Sequence, residues 1–192
     1  MNTKRQKIVL FSVLESIFGV GSVEKEKRFE WGDIPDNYQE QHQLVFDTLK
    51  NARGYDNFVR SKAINYDFFI EGNNPALVNL LPGINTNGLI IEYDEKQHFS
   101  QIRKLSLLAY PSDITLYFDK QRWIDKCDEI NARDNDPIYR DEQRAFRDSI
   151  RDISSYRNNY LLLRIMYSDY DFENNSLEQS IEHIRVLVSQ LR

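Results

Sequence analysis

Residues 90–99 read Ile-Ile-Glu-Tyr-Asp-Glu-Lys-Gln-His-Phe. An apolar run ends there in charges at every second position. Alternate side chains of an extended strand share a face, so a regular strand lines up Ile90, Glu92, Asp94, Lys96 and His98. Two carboxylates, an ammonium and an imidazole are unfavourable in a core and poorly used on a plain surface. They suit a metal site that handles phosphate, because hard divalent cations such as Mg²⁺ prefer carboxylate oxygen. Hydrolysis of a phosphodiester is the chemistry this stretch points to.

A further carboxylate lies upstream. Asp67 falls mid-strand in Asn-Tyr-Asp-Phe-Phe, where strand propensity disfavours aspartate and burial without a partner is costly. It is either a metal ligand from a neighbouring strand or an edge carboxylate facing water. Asp67, Glu92 and the carbonyl after Glu92 can cradle one Mg²⁺ whose shell water completes, with Asp94 as a further ligand or a support behind it. Such an ion lowers the pKa of bound water and offsets transition-state charge. The bland alternative is a solvated face of two acids and a lysine. Lys96 is a phosphate-facing cation that orients or deprotonates the attacking water, or a solvated strand-end lysine. His98 is a general acid, base or phosphate contact, as imidazole chemistry allows, or a structural residue.

A second constellation follows at 140–151. Arg140, Arg144, Arg147 and Arg151 are spaced 4, 3 and 4 apart and share one helical face. Asp141, Asp148 and Asp152 form a parallel acidic row. The pattern is either a salt-bridged solvated helix or an arginine stripe for a phosphate backbone, with Arg144, Arg147 and Arg151 as the contacts. His42 and His183 read as surface or packing residues. Cys127 is a weak nucleophile candidate in a charged helix. No Gly-rich phosphate loop and no Gly-x-Ser-x-Gly elbow occurs.

The elements that must position these groups follow from periodicity. Residues 4–18 read as an amphipathic helix with Ile8, Phe11, Leu14, Ile17 and Phe18 on one side, ended by Gly19 and Gly21. A short strand fits 24–31, a Pro35 turn 32–36, and a helix 37–53 with Val45, Phe46 and Leu49 apolar. Strands follow at 63–70, 89–96 and 114–118. Residues 72–88 read as a loop with one helical turn at 76–81. Helices at 121–132 and 138–156 flank a polar break at 133–137. Residues 160–167 form the most apolar strand, expected at the centre of the sheet. A last helix carries Leu177, Ile181, Ile184, Val188 and Leu191. The order predicts an α/β fold, a mixed sheet flanked by helices, in one domain over 1–192.

Composition sets the bounds. The 192 residues are 41% hydrophobic, with 11 Phe and 11 Tyr, which supports a sizeable core. A net charge of −5 and a pI near 5.3 argue against a general nucleic-acid coat protein but not against a nuclease with an acidic site. The single Cys127 forms no intramolecular disulfide and no Cys/His cluster has zinc spacing, which suits a reducing, cytoplasmic setting. The apolar run at 8–20 follows a basic start, but Glu15 interrupts it and no small-residue cleavage site follows. No run of about 18 apolar residues is long enough to span a membrane.

Two segments together resemble a known family. Glu92-Tyr-Asp-Glu-Lys-Gln-His-Phe is similar to the Glu-Tyr-Asp-Gly-x-Gln-His-Phe motif of small nucleases related to the very-short-patch-repair endonucleases, in the PD-(D/E)XK, or restriction-endonuclease-like, superfamily. Arg147-Asp-Ser-Ile-Arg-Asp and then Leu162-Leu-Arg-Ile-Met-Tyr167 resemble the family's Arg-Asp-x-x-Lys-Asp helix and Leu-Leu-Arg-Ile-x-Tyr strand. Asp67-Phe68 resembles its preceding aspartate strand. The match covers 66–167 with gaps. It implies a restriction-endonuclease-like core with a four-stranded mixed sheet, and a Mg²⁺-dependent (or Mn²⁺-dependent) DNA endonuclease of a restriction, defence or repair kind. Asp67, Glu92 and Asp94 take the acidic positions and His98 the histidine position; Asp148 and Arg164 fall on the recurrent helix and strand positions. Many relatives dimerise, so a homodimer through the C-terminal helix is one expectation; a helix that only covers the sheet is the other. Three departures stand out. Glu95 replaces the usual Gly. Arg151 replaces the helix lysine, and arginine cannot act as a base. The stretches 72–88 and 100–137 are long and read as insertions. The rival expectations are a non-catalytic nucleic-acid- or partner-binding protein on the same fold, and a nuclease directed at RNA.

Overall fold

The computed structural model describes residues 2–34, 42–54, 59, 61–134 and 139–191. They form two compact units, each built from separate stretches of chain. Unit 1 comprises Met1–Lys27, Tyr66–Asp94 and Asn159–Arg192; unit 2 comprises Arg28–Asn65 and Glu95–Asn158.

The fold is α/β, with four strands in a mixed sheet. The strands β1 (Glu24–Arg28), β2 (Asn65–Glu71), β3 (Gly88–Asp94) and β4 (Tyr160–Met166) are ordered β1-β2-β3-β4. β2 runs antiparallel to β3, from Phe68 opposite Ile91 to Glu71 opposite Gly88. β3 runs parallel to β4, from Gly88 opposite Tyr160 to Asp94 opposite Met166. Every residue of β3 is buried, as its unbroken apolar run requires.

Unit 1 adds α1 (Thr3–Phe18), α3 (Pro75–Leu80) and α7 (Leu177–Ser189), which pack on one another. Asn2 caps α1 through its side chain and Gly19 ends it at φ +103°, a backbone angle favourable only for glycine. Ser176 and Gln179 close a capping box on α7. The buried face of α1 is Gln6, Leu10, Val13, Leu14, Ile17 and Phe18. Each fully buried Leu or Ile contributes about 1.5–3 kcal/mol. Leu14, Ile17 and Phe18 of the expected face are buried, whereas Ile8 is 57% exposed. Gln6 takes an inward position, where its amide donates to Asp171 and accepts from the Phe172 backbone.

Unit 2 contains a 3₁₀ turn (Glu30–Gly32), α2 (Gln43–Arg53), a second 3₁₀ turn (Lys96–His98), α4 (Gln101–Leu108), α5 (Lys120–Ile130) and α6 (Arg140–Arg157). α4 packs against α2, α5 and α6. Phe46 of α2 meets Phe146 of α6 edge-on at 5.7 Å, and Val45 and Leu49 are buried as their spacing predicts.

Several expectations need correction. The strand expected at 89–96 ends at Asp94, so Lys96 and His98 do not continue its face. Glu95 is extended, and the His98 N–H turns back to the Glu95 carbonyl at 2.9 Å. Residues 114–118 form no strand. The helix α4 was not expected. β4 ends the strand order rather than lying at its centre; its apolar run reports burial, since Leu161 to Met166 are all buried, and burial does not require a central place. The turn at Pro35 and the starts of the helices expected at 37 and 138 fall outside the described residues, as does most of the break at 133–137.

Candidate functional site

In unit 1, Asp67 and Glu92 meet where the ladder between β2 and β3 stops. The antiparallel pairing reaches Phe68 and Ile91, so these carboxylates belong to the next, unpaired position. Each caps the other strand's backbone. The Asp67 N–H donates to Glu92 Oε1 at 3.0 Å, and the Tyr93 N–H donates to Asp67 Oδ2 at 3.0 Å. Side-chain oxygen replaces the carbonyl acceptors that the diverging strands no longer supply.

The cation on this pair is Lys7 of α1. Its Nζ lies 2.9 Å from Asp67 Oδ1 and 2.8 Å from Oδ2, with both side chains only part exposed. Lys7 is the residue that motif reasoning missed. Its signal is its place one heptad before Leu14, on a face otherwise turned inward.

Asp94 has a different setting. Its Oδ1 accepts from Arg164 Nη1 at 2.5 Å, with the two side chains 2% and 0% exposed. The Arg164 guanidinium therefore neutralises Asp94 inside the sheet.

The donor chemistry decides what these acids can hold. Among the described residues, no group of three or more His, Cys, Asp or Glu side chains is arranged around a metal position. Asp67 and Glu92 are two hard oxygen donors, and Mg²⁺ binds through one or two carboxylates while keeping several waters. The two carboxylates suit such an ion in kind, while Asp67 already carries Lys7 and Asp94 already carries Arg164.

Unit 2 holds the imidazole and the arginines. His98 Nδ1 lies 2.8 Å from Asp148 Oδ2, and Asp148 is fully buried. With Asp148 ionised, the ring's Nδ1–H is the donor of this bond. Asp148 Oδ1 accepts from Arg151 Nη1 at 3.0 Å. Behind it, the buried Arg103 of α4 bonds Asp152 at 2.8 Å and the Tyr110 hydroxyl at 2.6 Å. The acidic row of α6 is thus turned into unit 2, not toward solvent. Lys96 is exposed on its 3₁₀ turn.

The arginine row lines a cavity of about 240 Å³ with His98 and Gln143: Arg140, Arg144, Arg147 and Arg151 all face it. Burial, and then the charge of Arg151, hold the Arg147 guanidinium below the usual arginine range. His42 is buried, and desolvation brings its pKa down to about 4. His183 stacks on Tyr170 at 4.1 Å. Cys127 is buried in α5. No helix among the described residues is long and apolar enough to cross a membrane.

No family model, no curated protein and no solved structure matches this chain.

Proposed function

We propose that the chain is a Mg²⁺-dependent DNA endonuclease on a restriction-endonuclease-like core. The observation that carries this reading is the Asp67–Glu92 pair, opposed on two strands at the point where their ladder stops. Backbone pairing alone would not put two acids there, and a half-buried aspartate in a strand is costly without a task.

In this reading Asp67 and Glu92 hold the ion. Bound Mg²⁺ supplies Lewis acidity toward a phosphate oxygen and lowers the pKa of coordinated water. Lys7 neutralises Asp67, a role that a bound ion would share. Within unit 2, Asp148 fixes the orientation of the His98 ring through Nδ1. Asp94 serves the sheet, through Arg164, more than the reaction.

The test is cleavage of supercoiled plasmid and genomic DNA with Mg²⁺, Mn²⁺ or EDTA, comparing wild type with Glu92→Gln. Cutting that needs the metal and is lost in the variant is the expected result. Discrete bands would add site specificity. Wild-type protein that binds metal by calorimetry but cuts neither DNA nor matched RNA would sink the reading. A second reading then takes over, a nucleic-acid-binding protein without catalysis. The pairing of Asp67 with Lys7 and of Asp94 with Arg164 favours it, because both acids already have internal counter-charges.

A further inference from the structure

The four arginines of the unit 2 cavity are not equivalent. Arg140 Nε and Arg144 Nη2 share Asp134, at 3.0 and 2.9 Å. Arg144 also reaches Asp141 at 3.2 Å. Arg151 pairs with Asp148 at 3.0 Å and gives its other donors to the Asn65 carbonyl. Three carboxylates therefore offset three arginines. Arg147 pairs with no carboxylate among the described residues. Its Nη2 reaches the Ser61 carbonyl at 3.4 Å, and its Nε is buried with no acceptor.

A buried guanidinium donor without an acceptor is unfavourable unless a ligand completes it. We infer that the cavity lined by His98, Arg140, Gln143, Arg144, Arg147 and Arg151 is a site for one phosphate group, held by the Arg147 guanidinium. The planar fork matches two phosphate oxygens at once. His98 and Gln143 line the same space and supply polar contacts for the remaining oxygens. The charge balance sets the number. With the other arginines compensated, the cavity needs one anionic group and does not act as a long stripe along a backbone. The depressed pKa of Arg147 is consistent, since desolvation and a neighbouring cation are both relieved by an anion. The inference rests on the nuclease reading only for the origin of the phosphate, a nucleic-acid backbone; binding requires no cleavage.

The experiment titrates inorganic phosphate into the full chain, followed by calorimetry and by the arginine Nε–H resonances. Saturable binding that shifts one Nε resonance is expected. That resonance should be absent from Arg147→Lys. Affinity should fall on the order of tenfold or more in Arg147→Gln with an unchanged circular dichroism spectrum. Phosphate that does not saturate wild type, or that binds Arg147→Gln equally well, overturns the site. If Arg147→Gln fails to fold, the wild-type Nε shift and Arg147→Lys carry the test, and an unmoved resonance overturns it. For duplex DNA, the slope of log affinity against log salt should drop by about 0.9 in the variant; a drop of several times that overturns the single-phosphate assignment. Competition between phosphate and a short duplex identifies the backbone as the source, whereas phosphate binding without competition supports the same site with a free phosphate compound as ligand. Phosphate binding that survives in a protein unable to cut any nucleic acid would remove the nuclease reading and leave the site standing.

Discussion

Asp94 and Asp67 carry the same side chain and stand on neighbouring strands, yet their partners divide their work. Asp94 is matched by a guanidinium in a place water does not reach, while Asp67 meets an ammonium at a part-exposed strand end. Removing one partner of a buried pair leaves the other charge uncompensated. Asp94→Asn should therefore cost about 3 kcal/mol or more in urea unfolding, with cation affinity falling far less than in Asp67→Asn. Asp94→Leu combined with Arg164→Met should recover much of that loss. Equal damage to cation binding by both aspartate variants would return Asp94 to the ligand set. Motif spacing names Asp67, Glu92, Asp94 and His98 without telling them apart, because it carries residue type and period but not counter-ions. Lys7 and Arg103 lie far along the chain from the acids they neutralise, which places them beyond any local pattern.

At the scale of elements, the sequence pattern located α1, α2, α5, α6, α7 and all four strands, most of them through an apolar face of one clear period. It failed where a residue's surroundings, not its type, set the structure. α4 is short and buries Arg103, so its inner face does not read as apolar. The alternation of charges past Asp94 imitates a strand that Glu95 and the following 3₁₀ turn bring to an end. The start of β3 shows how tightly the sheet is fixed. A Cβ on Gly88 would stand 2.4 Å from Phe69 Cε2 and 2.6 Å from the Ile70 carbonyl oxygen. Gly88→Ala should accordingly destabilise the β2–β3 pairing by about 1–3 kcal/mol in thermal or urea unfolding. An unchanged midpoint would show that the strand shifts without cost.

For the molecule as a whole, acid stability is set in part by one buried histidine. Burial lowers the His42 pKa from 6.5 to about 4, so below the unfolded value the unfolded chain takes up a proton that the folded chain refuses. The stability this contributes is complete above pH 6.5 and is lost as pH falls toward 4, by about 3 kcal/mol across that window. His42→Leu should flatten the dependence in urea titrations across the window; an equally steep loss in the variant would assign it to other groups. The order in which the chain visits its two units carries a further consequence. β3 ends at Asp94 and its parallel neighbour β4 begins at Tyr160, with a whole segment of unit 2 made in between. Closing so long a loop costs entropy before the ladder repays it. On a translating ribosome the sheet therefore waits, its β3 edge unpaired, until β4 has emerged from the exit tunnel. The chain is most exposed to aggregation during that interval, and synthesis arrested before residue 160 would release a chain that lacks the strand its buried acids depend on.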